Sequence, residues 1–170
     1  ISGEQLPCLL VHSPSRPSFR ICTLDPTVHK VSKLIHTSGH LELVSHWPLN
    51  RLLQGIDDPL VVDVGSGLGI FPFEMNKRGF NITALDPDPE SISHISKQIM
   101  IPTICNEFDH AGIDQKYHFI FFNKVLEHVH DPVKMLKKSL NILVDPGYVY
   151  FEVPDGEEAK KFGKDREEFF

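Results

Sequence analysis

The chain has 170 residues, 41% of them hydrophobic and 24% charged, which is the usage of an ordinary globular domain with one core and excludes disordered or collagen-like chains. No apolar run approaches the roughly 20 residues of a membrane span, so we expect a soluble protein. The formal net charge is −6 and the basic residues are scattered, which excludes duplex nucleic acid as an expected partner.

Residues 1–35 are predicted to form an extended N-terminal arm, because four prolines interrupt any helical period there: Pro7, Pro14, Pro17 and Pro26. Residues 36–170 would form the domain itself. Within residues 36–47, apolar side chains recur at helical spacing and three histidines occur. We expect this helix to cover the ligand site as a lid.

Downstream, short apolar runs alternate with helical patterns, which is typical of a parallel sheet built from βαβ units. The predicted strands are residues 60–64, 81–85, 101–105, 118–122 and 148–153. The helices predicted between them are residues 71–78, a helix opened by Asp88-Pro89, and a third opened by Asp131-Pro132. The third should present an apolar stripe of Val133, Leu136, Leu140 and Leu143, and should end at Asp145-Pro146-Gly147.

A glycine loop follows the first predicted strand of the domain, at the turn from strand to helix. Gly65 would permit the tight turn, while Gly67 and Gly69 would let the backbone approach a ligand. Such loops also occur as simple tight turns, but Asp63 and Asp86 flank this one at an interval of 23 residues, 86 − 63. An acidic residue about 20 residues after such a loop holds ribose hydroxyls, so the pattern predicts an adenosine-bearing ligand.

The spacing of the glycines favours one such ligand over another. A nicotinamide dehydrogenase needs G-x-G-x-x-G, whereas residues 65–69 read G-x-G-x-G. Asp63, immediately before the loop, would repel a pyrophosphate and would suit a cationic amino group.

The chain resembles the class I S-adenosylmethionine-dependent methyltransferases in several segments. Motif I of that family resembles VVDVGSGLG at 61–69, and its ribose-binding acidic motif is similar to ALDPD at 84–88. Its fourth-strand segment resembles FIFFNKVLEHV at 119–129, and its fifth strand PGYVYFEVP at 146–154. The Leu-Glu-His segment is closest to a subgroup that methylates oxygen, nitrogen or carbon of small molecules.

The resemblance implies S-adenosylmethionine as cofactor. Asp63 and the glycine-loop backbone would hold its methionine part, and Asp86 its ribose. Glu107 and Phe108 fall where the family contacts adenine, and Asn123 lies beside the expected sulfonium. The full set of implied cofactor-binding residues is Asp63, Gly65, Ser66, Gly67, Gly69, Asp86, Pro87, Glu107, Phe108 and Asn123.

The fold implied by the resemblance is an α/β, Rossmann-like three-layer sandwich with a mainly parallel central sheet. The family sheet normally has seven strands, whereas this chain is expected to stop after the fifth, with its C-terminal strands missing. The fifth strand would then be an unpaired edge. Part of the acceptor pocket, expected above Asn123, His128 and Glu152, would also be lost.

His128 is the candidate catalytic base, because histidine suits proton transfer at neutral pH; a packing role beneath the cofactor loop remains open. Glu127, His128, His130 and Asp131 together also suit a metal ion. Family members that bind a metal there carry a further Glu at the position of Lys124, and a cation opposes a metal. We therefore expect no metal.

The sequence thus predicts an S-adenosylmethionine-dependent methyltransferase that works chiefly by orienting its reactants and acts on a small-molecule acceptor that the sequence does not identify. The alternative is a non-catalytic S-adenosylmethionine-binding or interaction module. The three cysteines are too few and too widely spaced for a disulfide framework, which favours a cytoplasmic location. The pattern predicts no oligomeric state.

Overall fold

The structure, a computed structural model, describes residues 8–12, 18–23, 33–35 and 55–152. The strands are β1 (Cys8–His12), β2 (Ser18–Thr23), β3 (Lys33–Ile35), β4 (Leu60–Val64), β5 (Asn81–Asp86), β6 (Thr103–Cys105), β7 (Tyr117–Asn123) and β8 (Leu143–Glu152). The helices are α1 (Ile70–Lys77), α2 (Pro89–Gln98) and α3 (Pro132–Asn141), with a 3₁₀ turn at Leu126–His128. The predicted lid, residues 36–47, lies outside the described residues.

The eight strands form one sheet in the order β3-β2-β1-β8-β7-β4-β5-β6. Strands β4 to β8 all pair in parallel, and the chain crosses from β5 and β6 on one side of β4 to β7 and β8 on the other. The carboxyl ends of β4, β5 and β7 therefore meet where the strand order reverses, which is where open α/β sheets bind ligands. The predicted α/β fold with a mainly parallel sheet is confirmed.

The apolar runs form strands because both faces of the sheet are covered. Alternate residues of β4 point to opposite faces, so Val62 packs in a core with α3, while Val61 packs in a second core with α1 and α2. Both valines are fully buried. This arrangement gives the predicted three layers, and it explains why the strands are continuous apolar runs rather than alternating ones.

Both predicted aspartate caps are present. The Asp88 side chain accepts hydrogen bonds from the backbone N–H groups of Glu90 and Ser91, at 3.2 and 3.0 Å. Asp131 accepts from the backbone N–H of Lys134 at 2.9 Å. Proline follows each aspartate at the first helical position, so the two devices that start α2 and α3 are alike. Among the helices of the described ranges, none is long and apolar enough to cross a membrane.

The expectation that the fifth strand would be an unpaired edge is wrong. That strand, β8, pairs in parallel with β1, with Leu10 opposite Tyr150, and β2 and β3 extend the sheet in antiparallel fashion. An open strand edge presents a row of backbone donors and acceptors that another extended segment can satisfy. The arm can supply such segments because its prolines lie between its strands rather than within them.

The end of the third helix also differs from the prediction. Helix α3 ends at Asn141, and Leu143 belongs to β8. In the pairing with β7, Leu143 lies opposite Tyr117 and Tyr148 opposite Phe119, so residues 144–147 bulge out of the strand. The turn-forming residues 145–147 therefore interrupt a strand instead of following a helix. Val133, expected in the apolar stripe, is 58% exposed, and Met135 is buried in its place.

Candidate functional site

The glycine loop that follows β4 is tied to the end of β5 by backbone hydrogen bonds. The N–H groups of Gly65 and Ser66 both donate to the carbonyl of Leu85, at 2.7 and 3.2 Å. The Ser66 hydroxyl donates to the Asp63 carbonyl and accepts from the Leu85 N–H, at 2.9 and 3.2 Å. Ser66 is therefore a structural residue of the loop, which its position in the motif alone does not reveal.

The three glycines of the loop all have positive φ angles, but they differ in what surrounds them. A Cβ atom on Gly65 would lie 2.5 Å from Val125 Cγ2, and one on Gly69 would lie 2.6 Å from Ile95 Cγ1. A Cβ atom on Gly67 would meet no atom of the described residues within 4 Å. Close packing thus accounts for Gly69, where we had expected ligand approach, and only Gly67 faces open space.

Asp86, at the end of β5, joins the glycine loop to the segment that opens α2. Its Oδ2 accepts a hydrogen bond from the Gly67 N–H at 2.8 Å, and its Oδ1 accepts from the Asp88 N–H at 2.9 Å. The residue is only 8% exposed. Each carboxylate oxygen retains a further acceptor site, so Asp86 can hold the loop and still accept a hydrogen bond from a ligand.

Asp63 and Asn123 form the polar pair beneath the loop. Asn123 Nδ2, at the end of β7, donates to Asp63 Oδ1 at 3.0 Å, and Asp63 is 2% exposed. Burial raises the pKa of Asp63 to about 7, with the nearby charge of Asp86 adding to the rise and the Asn123 hydrogen bond opposing it. A buried acid that ionises near neutral pH is suited to bind a cationic group.

A cavity of about 670 Å³ opens at the carboxyl ends of β4, β5 and β7. The predicted site residues that line it are Gly65, Asp86, Pro87, Glu107, Phe108 and His128. The other predicted residues lie around the loop without lining the cavity: Asp63, Ser66, Gly67, Gly69 and Asn123. Two groups of predicted residues thus meet at Asp86, which lines the cavity and bonds to Gly67.

Glu107 and Phe108, in the segment after β6, differ in their surroundings. Glu107 Oε2 lies 2.8 Å from His110 Nδ1, and both side chains are exposed. Phe108 is 2% exposed and packs edge-on against Phe122, with ring centroids 5.4 Å apart. Phe108 is therefore a core residue that also borders the cavity, whereas Glu107 has its carboxylate in solvent at the rim.

Sequence reasoning named His128 in the segment after β7 but missed the contribution of α3, of Asp109 and of the Lys124 side chain to the cavity. Lys134 Nζ lies 3.2 Å from Asp109 Oδ2, and both residues line the cavity, as do Lys124 and Met135. The Asp131-Pro132 pair correctly predicted where α3 begins. The folded sheet brings the first turn of α3 beside the segment that follows β6. This contact depends on topology, which no local motif encodes.

His128 lies at the end of the 3₁₀ turn, is exposed and lines the cavity. The described ranges contain no group of three or more His, Cys, Asp or Glu side chains arranged to hold a metal ion. Two buried carboxylate oxygens in these ranges, Asp109 Oδ1 and Glu127 Oε2, have no hydrogen-bond partner. The Asp109 oxygen belongs to a cavity-lining residue and can accept a hydrogen bond from a ligand.

Known structures share this fold. The plantazolicin methyltransferase BpumL, solved with a pentazolic desmethylPZN analog and SAH, superposes with a TM-score of 0.62 at 18% identity, over 74% of this chain and 50% of that one. An S-adenosylmethionine-dependent methyltransferase from Clostridium acetobutylicum ATCC 824 gives 0.50 at 18% identity, over 55% and 42%.

Curated relatives and a family model match the sequence itself. A ubiquinone biosynthesis O-methyltransferase of Serratia proteamaculans (strain 568) is 30% identical over 113 residues, which are 61% of this chain and 47% of that protein. One of Nitrosomonas europaea is 24% identical over 112 residues, with the same coverage. The chain thus spans about half the length of these relatives. A family model described as a methyltransferase domain matches residues 41–166, most of the chain, which therefore belongs to that methyltransferase family, as its motifs predicted.

Proposed function

We propose that the chain binds S-adenosylmethionine and transfers its methyl group to an oxygen atom of a small molecule. One observation supports this proposal above all: the Asp86 carboxylate accepts a hydrogen bond from the Gly67 N–H and lines the cavity at the carboxyl ends of the strands. This arrangement joins an acceptor for ribose hydroxyls to a loop that has open space at Gly67.

The residues present fit the polar groups of this cofactor. Asp86 would accept hydrogen bonds from the ribose hydroxyls, and ionised Asp63 would hold the amino group of the methionine part. Glu107 and Phe108, which line the cavity, would border the adenine, and the unpartnered oxygen of the neighbouring Asp109 would accept a hydrogen bond from the adenine amino group. The amino group of the methionine part, the ribose hydroxyls and the amino group of adenine would then each meet a carboxylate of the protein, and buried polar groups need such partners.

S-adenosylmethionine supplies a methyl group already activated on a cationic sulfur, so the protein needs mainly to orient the reactants. Asn123 fixes the Asp63 carboxylate through its hydrogen bond. His128, exposed at the cavity, would take the proton that a hydroxyl acceptor loses on methylation. No step of this scheme requires a metal ion.

The choice of an oxygen acceptor rests on the curated relatives, whose names specify O-methyl transfer. The chain spans about half the length of those proteins, and we propose that it shares their transfer of a methyl group to oxygen. We also propose a cytoplasmic location, since the exposed thiol of Cys105 suits a reducing compartment.

Transfer from methyl-labelled S-adenosylmethionine to a panel of phenols and catechols tests the proposal. Replacing His128 by Asn should lower kcat by about 100-fold on a phenol, whereas His94→Asn should leave it unchanged, because His94 is an exposed residue of α2 that does not line the cavity. Binding of the cofactor without transfer to any member of the panel would favour the non-catalytic binding module instead.

The same assay tests the metal-free scheme. Transfer should persist in excess EDTA, because the described residues near the cavity offer no set of metal ligands. Loss of transfer in EDTA that magnesium or zinc restores would contradict it and would point to Glu127, His128 and His130.

A further inference from the structure

Lys124, the residue after β7, has an unusual backbone conformation. Its φ angle is +55°, in the left-handed region that Gly, and to a lesser extent Asn and Asp, adopts readily but that other residues rarely adopt. A non-glycine residue stays in this region only where the surrounding structure fixes it, and such residues cluster at functional sites.

Several contacts fix the backbone around Lys124. Its own N–H donates to the carbonyl of Glu152 at 3.2 Å, which extends the pairing of β7 with β8 by one residue. Val125 packs into the space that a side chain at Gly65 would fill. The N–H of His128 then donates to the Val125 carbonyl at 2.9 Å and closes the 3₁₀ turn. The glycine loop, β8 and the following turn together determine the conformation of this one residue.

The Lys124 side chain adds a cation to the lining of the cavity. Lys124 lines the cavity and its side chain is exposed. The other two lysines nearby are engaged: Lys134 Nζ pairs with Asp109, and Lys138 Nζ donates to the carbonyls of Phe108 and Ala111. In the described part of the chain, no ion pair or hydrogen bond involves the ammonium group of Lys124.

We propose that Lys124 determines acceptor specificity by binding an ionised oxygen, a carboxylate or phenolate, of the methyl acceptor. Lys124 directly follows Asn123, whose side chain bonds to Asp63 at the base of the glycine loop. An ammonium group there favours the ionised form of a phenol, which is the nucleophilic form. The inference rests on the proposed function and adds the charge of the substrate to it.

The test compares two probes on the protein saturated with S-adenosylhomocysteine: 3,4-dihydroxybenzoate and its neutral analogue 3,4-dihydroxybenzamide. Calorimetry should show that Lys124→Met weakens binding of the benzoate at least 10-fold, the scale of a hydrogen bond to a charged group. The benzamide should bind both proteins equally. Lys124→Arg should retain part of the benzoate preference, and Lys97→Met should retain all of it, because Lys97 is an exposed residue of α2 that does not line the cavity.

Lys124→Gly separates this role from a structural one. Glycine accepts the left-handed φ angle without strain, so this variant should melt no lower than wild type while it loses the preference for the benzoate. If wild type does not prefer the benzoate, or if Lys124→Met keeps the preference, the inference is wrong. Weaker binding of S-adenosylhomocysteine by Lys124→Met would also overturn it, because the lysine would then serve the cofactor. Failure of wild type to bind S-adenosylhomocysteine at all would overturn the proposed function as well.

Discussion

If Asp63 holds the amino group of the cofactor as proposed, it couples proton binding to the binding of that cationic group. Burial places its pKa at about 7, so the free protein holds a proton on Asp63 below neutral pH. An ammonium ligand requires the ionised form. We therefore expect the affinity for S-adenosylhomocysteine to rise about tenfold from pH 6 to pH 8, the change in the ionised fraction of an acid with that pKa. Calorimetry in buffers of different ionisation enthalpy would also detect the released proton.

Asp63→Asn is the control, because it keeps the Asn123 contact site but has no proton to lose. The histidines that line the cavity, His110, His128 and His130, are unchanged in this variant, so the difference between the two proteins isolates Asp63. The stability of the free protein should change with pH in the opposite direction to the affinity. Because the pKa of Asp63 is raised in the folded protein, this residue contributes fully to the free energy of unfolding below about pH 4. The contribution is lost as the pH rises through 7, by up to ~1.4 kcal/mol per pH unit. Equal pH profiles for both proteins would contradict the assignment.

The glycines of the loop separate stability from binding. Gly69→Ala places a Cβ atom 2.6 Å from Ile95 and keeps a positive φ, so it should lower the free energy of unfolding by about 2–4 kcal/mol. In Gly67→Ala the new Cβ atom meets no atom of the described residues, so the variant should cost only about 1 kcal/mol, the cost of a positive φ at alanine, yet it should weaken S-adenosylhomocysteine binding.

Gly79→Ala is the matched control for both, since Gly79 has a φ angle of +86° and open surroundings. Denaturant unfolding and calorimetry of the three variants check the prediction. Full binding by Gly67→Ala would show that no ligand approaches the loop there. The motif identified the loop, but it could not separate a glycine needed for packing from one that faces open space, because that distinction depends on α2.

At the scale of elements, Lys138 connects α3 to the segment that borders the cavity. Its Nζ donates to the carbonyls of Phe108 and Ala111, at 2.5 and 2.9 Å, and lies 5.4 Å from the centroid of the Phe108 ring. Removing the ammonium leaves two part-buried carbonyls unsatisfied. Lys138→Met should therefore lower the free energy of unfolding by about 1–3 kcal/mol and weaken S-adenosylhomocysteine binding.

Lys137→Met is the matched control, because Lys137 is the exposed neighbour on the same helix. It should change neither quantity. If both lysine variants unfold alike, the Lys138 contacts do not stabilise the segment. Local patterns predicted α3 itself from its aspartate cap, but Lys138 looked like any solvated lysine, since its partners lie 27 and 30 residues earlier in the chain.

Strand β8 shows where a local pattern misleads. Asp145, Pro146 and Gly147 are residues that end helices, and they were predicted to do so. The structure places them in a bulge of β8, because Leu143 already pairs with Tyr117 before the bulge begins. Turn-forming residues mark a change of backbone direction, and only the pairing partner decides whether a strand continues after it.

For the whole molecule, the N-terminal strands complete the sheet beside β8. Strand β1 is paired on both sides, so proline at Leu10 removes a donor that faces a partner strand whichever way it points. Proline at Leu34 falls in β3, which is paired on one side in the described sheet. Leu10→Pro should therefore lower the melting temperature more than Leu34→Pro. Equal melting temperatures would indicate that β1 does not stabilise the sheet.

The sequence-based prediction covered the succession of β4 to β8 along the chain because helices separate three of the four consecutive strand pairs. Two of these helices, α2 and α3, also begin with an aspartate cap followed by proline. The prediction did not include the pairing of β1 with β8, since these segments lie more than 130 residues apart, 143 − 12, and no turn connects them. For the same reason the cavity was predicted as a set of strand ends, without Lys124 or Lys134.

The affinity of the chain for S-adenosylhomocysteine is the most direct measure of the proposed cofactor site. Calorimetry should show one site of micromolar affinity in wild type and a loss of about 1.5–3 kcal/mol in Asp86→Ala, the scale of hydrogen bonds to a charged group, with Asp114→Ala, on the exposed loop before β7, as the unaffected control. NAD should not bind. If folded wild type binds NAD in place of S-adenosylhomocysteine, or if Asp86→Ala binds as tightly as wild type, the site is not the one described.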